Sequence, residues 1–446
     1  MSGSLAWRQG DPEQLILRGV RALDPRHGLD APRDVVVREG EIAELAEPGS
    51  AVLEGAEVIE AEGLLALPAF VDPHVHLRTP GQEHKEDLET GTRAAAAGGY
   101  GRVLAMANTS PPVDSASILG SLLERASHDA AIPVGFFATV TQRMAGEELT
   151  EMAELRAAGA VGFSDDGLPI ASARVLRRAL QYQRLAGGVI ALHEEDPELS
   201  ADGVMHEGEA SALLGMRGIP SLSEATMIAR DAAIAAAEGM PIHVQHLSAR
   251  ASVEAVAAAK AAGTEITCEA SPHHLTLTDE QVRSLDARFK MNPPLRSEDD
   301  RQALIEGLRD GTIDCVATDH APHAAEEKEI PFEEAAMGVI GLESAFAVLY
   351  SDLVRSGVLE LGTLIERMTA GTEPFGFAAP SLAVGSEANI TLVDPELQWT
   401  IGEDGYESRS ANSCFAGHKV TGRVLMTVAG GRVAYRQRSF AIGAAV

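Results

Sequence analysis

Between residues 67 and 383 the chain repeats one rhythm, a short apolar run followed by an Ala-rich stretch of helical character. The apolar runs fall at 65–71, 102–106, 134–138, 160–163, 189–192, 242–244, 265–268 and 315–317. Helix candidates lie between many of them, for example at 90–97, 149–157, 172–185 and 252–261. Eight strand-then-helix units predict an α/β fold, a (β/α)8 barrel of the TIM type. A doubly wound open sheet is the rival, but no G-x-G-x-x-G follows the first run. In a barrel, chemistry sits at the C-terminal ends of the strands, so polar residues are expected to gather there.

The two ends of the chain read differently. Leu15-Ile16-Leu17, Asp34-Val35-Val36-Val37 and Glu41-Ile42-Ala43-Glu44-Leu45 are short strand-like stretches, the last two joined at Arg38-Glu39-Gly40. Near the other end, Ile390-Thr391-Leu392-Val393 and Val424-Leu425-Met426-Thr427-Val428 repeat that character, with Gly430-Gly431 as a second turn. The expectation is a small β-sandwich module made from residues 1–66 and 384–446, with the catalytic barrel spanning 67–383.

Polar residues do gather at the run ends. The first closes in Asp72-Pro73-His74-Val75-His76-Leu77-Arg78, where alternation turns His74, His76 and Arg78 the same way. Two imidazoles at i and i+2 can chelate one metal ion, and a cation beyond them can hold an anionic substrate group. The fourth run ends in Ser164-Asp165-Asp166-Gly167 and the fifth in His193-Glu194-Glu195. The sixth ends in Gln245-His246 and the eighth in Asp319-His320-Ala321-Pro322-His323. Each alone reads as a capping carboxylate or a core histidine. Together they point to a site for Zn2+ or a similar borderline divalent ion, since His/Asp ligation suits neither Ca2+ nor Mg2+. His243 has the opposite parity to His246 and is expected to face the helices, while His273 and His274 stay undecided.

Long stretches of the chain resemble the amidohydrolase superfamily and, within it, Bacillus-like bacterial dihydroorotases. The matching segments are PAFVDPHVHLRTPGQEHKEDLETGTRAAAAGGYGRVLAMANTSPPVD (68–114), GFSDDG (162–167), HEED (193–196), HVQHLSA (243–249), CEASPHHL (268–275), KMNPPLR (290–296) and ATDHAPH (317–323). The resemblance implies zinc, one or two ions per chain, with His74 and His76 on one and His193 and His246 on the other. It implies Asp166, rather than Asp165, between the metals, and Asp319 as both ligand and catalytic proton carrier. Arg78 and Asn108 would bind the substrate carboxylate, His76, Asn292 and His323 would also contact substrate, and the segment 320–338 would bring Met337 and Gly338 to it. Hydantoinases carry a carbamylated lysine at the fourth strand, but this chain has no lysine between Glu86 and Ala259. The implied reaction is zinc-dependent interconversion of N-carbamoyl-L-aspartate and (S)-dihydroorotate in pyrimidine synthesis. Rival readings are another cyclic amidase, such as an allantoinase or hydantoinase, and a non-catalytic homologue scaffolding aspartate transcarbamoylase.

Composition narrows the partners. A formal net charge of −30 repels phosphate backbones and anionic lipid, so neither nucleic acid nor membrane is expected. Three cysteines without C-x-x-C spacing give no disulfide framework and no thiolate zinc site. No basic-then-apolar leader opens the sequence, so a reducing cytoplasm is expected. A homodimer and an association with aspartate transcarbamoylase are both compatible with this reading.

Overall fold

Glu39 and Gly40 both take positive φ, 53° and 79°. That geometry matches the right-handed twist of flanking strands, and here it pairs Leu29–Arg38 with Glu41–Ala46. Gly430 and Gly431 (φ 56° and 76°) do the same for Lys419–Ala429 and Arg432–Arg436. A computed structural model describes residues 3–438 and 440. Both chain ends enter one eight-stranded sheet. Its junction is Leu65–Pro68, parallel to Leu15–Asp24 on one side and antiparallel to Ile390–Thr400 on the other. Ile42 N donates to Ser386 O and Ala388 N to Gly40 O, so an outer strand returns to the C-terminal half. The sandwich is therefore a single sheet curled over its own core, with Leu17, Val35, Ile42, Leu392 and Val428 buried on the shared face.

The first apolar run divides in two, because Leu65–Pro68 belongs to that sheet and the barrel begins only at Phe70. The barrel positions are β1 (Phe70–Val75), β2 (Tyr100–Ala105), β3 (Val134–Phe136), β4 (Phe163 alone), β5 (Ile190–Leu192), β6 (Ile242–Val244), β7 (Ile266–Ala270) and β8 (Cys315–Val316). Neighbouring strands pair in parallel from β1 to β3 and from β5 to β8. Phe163 joins the two arcs through parallel bridges to Ala138 and Ile190, and a Val75–His320 bridge closes the ring. The fourth strand is reduced to these bridges, so the run at 160–163 is shorter as a strand than its sequence predicts.

Helices cover the outside where they are expected: Leu88–Ala97, Met152–Ala158, Ala173–Ala186 and Arg250–Ala261. Asp87 starts the first by accepting from Thr90 N at 2.9 Å, and Ser172 caps the third through Val175 N. Among the described residues no helix is long and apolar enough to cross a membrane.

Candidate metal centre and active site

At the C-terminal mouth of the barrel, three non-glycine residues adopt left-handed backbone: Arg78 (φ 55°), His246 (φ 31°) and Asp319 (φ 48°). Such conformations cost of order 1–3 kcal/mol each and persist where the surroundings impose them. They sit just past β1, β6 and β8. Here the extended backbone that strand alternation assumes is interrupted. His243 shows the consequence. It lies inside the barrel, with Nε2 3.0 Å from Glu269 Oε2 on β7, and does not face the helices. The left-handed turn at His246 breaks the count of alternate residues from which the outward placement follows.

His74, His76, Asp166, His193, His246 and Asp319 converge on one buried cluster. His74 Nε2 lies 3.5 Å from both Asp166 Oδ1 and Asp319 Oδ1. His76 Nε2 lies 3.0 Å from Asp319 Oδ1 and 3.4 Å from Asp166 Oδ2. On the opposite side, His246 Nε2 is 3.5 Å from Asp166 Oδ1 and 2.9 Å from His193 Nδ1. Two groups of potential donors overlap here, His74 with His76 and Asp319, and His74 with Asp166 and His246, the atoms of each within 4.8 Å of one another. His74 Nε2 and Asp166 Oδ1 are buried without any hydrogen-bond partner, although they face each other. Buried polar atoms that face each other without a hydrogen bond are what a cation-binding pocket leaves behind, so the donors fit a divalent ion.

The electrostatics agree with an anionic pocket. Burial pushes the Asp166 and Asp319 carboxyls up, but the surrounding His74, His76 and His246 hold both below the usual carboxylate range. Burial opposes a charged His74, yet Asp166, Glu269 and Asp319 raise it well above an ordinary histidine. Sequence reasoning missed two carboxylates behind the cluster. Glu269 Oε1 meets His74 Nδ1 at 2.6 Å, and His74 and His243 hold its buried carboxyl down at about 2. Glu195 Oε2 lies 3.1 Å from His193 Nε2 and accepts from Asn292 Nδ2 at 2.6 Å. The signal for Glu269 was present, the single charged residue of the otherwise uncharged strand Ile266–Ala270.

The aspartate pair separates cleanly. Asp165 turns away and accepts from Val140 N and Thr141 N at 2.8 and 3.1 Å, and from Thr141 Oγ1, so it fastens the loop after β3. Only Asp166 reaches the histidines. His274 is likewise occupied, bonded to Ser271 Oγ and Pro293 O at 2.7 and 2.9 Å. His273 is buried close by, and burial pushes it down to about 4.

Around the rim, Asn108 Oδ1 lies 2.9 Å from His76 Nδ1 while its Nδ2 donates to Asp166 O. Arg78 is buried, donates from Nε to Pro322 O at 3.1 Å, and sits 3.4 Å from His323 Nε2. His323 Nε2 contacts Met337 O at 3.0 Å. The segment 321–338 is fastened by Lys328, whose buried ammonium donates to Lys290 O, Ala336 O and Gly338 O. Met337 and Gly338 are thereby held next to His323, while Asn292 lies across the cluster beside His193.

Comparison with known proteins decides the family. Over 95% of this chain and 100% of its own length, a dihydroorotase of Trichlorobacter lovleyi is 44% identical. A dihydroorotase of Anaeromyxobacter dehalogenans is 44% identical over 95% of this chain and 98% of its own. The chain belongs to the dihydroorotase family. Membership makes it an enzyme, a cyclic amide hydrolase. A family profile described as Dihydro-orotase-like matches residues 63–252. Among solved structures, an L-hydantoinase (dihydropyrimidinase) from Arthrobacter aurescens shares the fold with a TM-score of 0.84 at 24% identity, covering 94% of this chain and 96% of that one. A dihydropyrimidinase from Brevibacillus agri aligns with a TM-score of 0.83, also at 24% identity, over 95% of each chain. These structural likenesses support the barrel with its appended sheet, and the dihydroorotase assignment rests on the sequence relatives.

Proposed function

We propose that this chain interconverts N-carbamoyl-L-aspartate and (S)-dihydroorotate at the barrel mouth, with zinc held by His74, His76, Asp166, His193, His246 and Asp319. The observation that carries the reading is the pair of overlapping donor groups sharing His74, with Arg78 buried alongside. A divalent ion bound there supplies Lewis acidity, polarising the ring amide carbonyl and easing deprotonation of water. Asp319 is ionised at neutral pH, because His74 and His76 hold its carboxyl low despite burial. In the hydrolytic direction it takes the proton of the attacking water and hands it to the departing ring nitrogen, serving as base and then acid. In the synthetic direction the same carboxylate takes the proton from the carbamoyl nitrogen as the ring closes and passes it to the departing carboxylate oxygen, which leaves as water with a second proton from solvent. Arg78 offers the substrate carboxylate a planar fork of donors, which a lysine cannot reproduce. Asn108 would join Arg78 in binding the substrate carboxylate, and Asn292, His323, Met337 and Gly338 would contact the ring. Metal content per chain decides between one ion and two.

The test is turnover of dihydroorotate, hydantoin and allantoin by one preparation, before and after chelation, with zinc per chain measured alongside. The reading expects dihydroorotate to be preferred and its turnover to disappear with the metal and return on adding zinc. Turnover that survives complete metal removal, or a preference for hydantoin, overturns it.

A further inference from the structure

Glu269 touches three parts of the barrel at once. Its Oε1 meets His74 Nδ1 at 2.6 Å and accepts from the backbone N–H of His246 at 3.2 Å. Its Oε2 meets His243 Nε2 at 3.0 Å, and His243 Nδ1 lies 2.8 Å from Thr267 Oγ1. The side chains of Glu269, His74, His243 and His246 are all buried, and Thr267 is half-buried. We infer that Glu269 is a positioning residue that fixes the proton of His74 on Nδ1 and pins the strained backbone at His246. The inference rests on the metal reading above.

The chemistry follows from what each atom can do. A carboxylate only accepts, so a ring nitrogen 2.6 Å from it carries a proton, and Nε2 is the ring atom left to turn toward a metal ion. Nε2 is the atom that faces Asp166 and Asp319 without a hydrogen-bond partner. His246 holds a left-handed φ of 31°, and its N–H bond to Glu269 helps compensate the strain that aims its ring at Asp166 and His193. Thr267 completes the arrangement: its hydroxyl donates to His243 Nδ1, which leaves His243 Nε2–H directed at Glu269 Oε2. Both oxygens of Glu269 are thus committed, one to each histidine ring. For the same reason the nearby trio of His243, Glu269 and Cys315 is not a further metal site, since His243 Nε2 and Glu269 Oε2 already bond each other.

Replacing the carboxylate with an amide tests this directly. In Glu269→Gln one partner meets an NH2 group, which either drives the His74 proton onto Nε2 or breaks the link to His243. Metal-depleted wild-type and variant protein are titrated with Zn2+ against a chromophoric chelator, and the Co2+-loaded forms are compared by visible absorption. The variant is expected to bind zinc about 10–100-fold more weakly, the usual cost of losing the group behind a ligating histidine. Its Co2+ spectrum should shift, and kcat should fall more than KM rises. Zinc affinity within threefold of wild type, whatever the change in melting temperature, overturns the inference. If Glu269→Gln does not fold, Thr267→Val carries the same readout. A severalfold loss of zinc affinity supports the inference, and an unchanged affinity overturns it. Wild-type protein that takes up no zinc overturns the metal reading as well, whereas tight wild-type binding with an unchanged variant removes only the role of Glu269.

Discussion

The curled terminal sheet and the barrel mouth are built on opposite terms. The sheet buries an aliphatic face, Leu15, Leu17, Val35, Val37, Ile390, Leu392 and Val428 among others, and its left-handed residues Glu39, Gly40, Gly430 and Gly431 are where tight turns require them. The mouth buries His74, His76, His193 and His246 with the carboxylates of Asp166, Asp319 and Glu269, and three of its non-glycine residues, Arg78, His246 and Asp319, take positive φ. Burying apolar area stabilises, at about 25 cal/mol per Å2, whereas burying charge costs free energy unless partners compensate. The contrast locates stability in one region and chemistry in the other, joined at Leu65–Pro68 immediately before β1.

The greatest expected effect is on Asp319→Asn, which keeps the shape of the mouth and removes the proton carrier. Its kcat is expected to fall by roughly two to four orders of magnitude at saturating zinc. A near-normal rate in steady-state assays would break the comparison. Leu392→Ala, in the core of the terminal sheet, should do the converse. Chemical denaturation should show a loss of about 2–5 kcal/mol, while kcat/KM of the folded fraction stays unchanged. If kcat/KM drops in step with stability, the two regions are not separable. Arg78→Ala should raise KM about 10–100-fold with little change in kcat, in line with losing about 1.5–3 kcat-neutral kcal/mol of charged hydrogen bonding to substrate. A kcat effect exceeding the KM effect would move Arg78 from binding into the chemical step. The smallest effect sharpens the comparison from the other side. Glu39→Asn places a residue suited to left-handed backbone ahead of Gly40 and is expected to add about 0.5 kcal/mol without touching activity.

Much of the barrel was legible because strand and helix patterns are local. The helices at 90–97, 172–185 and 252–261 appear within a few residues of their expected limits. His74, His76, His193, His246 and Asp319, with the pair Asp165 and Asp166 left open, could be gathered from strand ends because a barrel brings all its strand ends to one rim. Two features were less legible. The run at 65–71 looks continuous, but its first half finds hydrogen-bond partners in the terminal sheet, and nothing local marks the change at Ala69, whose N–H goes to Asn389 O. His243 could not be placed by parity, since parity assumes an unbroken extended backbone and His246 interrupts it.

From sequence alone come the period of the fold, the turn glycines and the kinds of side chain at each strand end, since these depend on neighbours a few residues away. Only the tertiary structure decided that Asp166 faces the histidines while Asp165 fastens a loop. Only it placed Glu269 behind His74, because those choices depend on hydrogen-bond partners 24 and 195 residues distant along the chain. Such partners exist only once the ring has closed and brought side chains of β1, β6 and β7 into one interior.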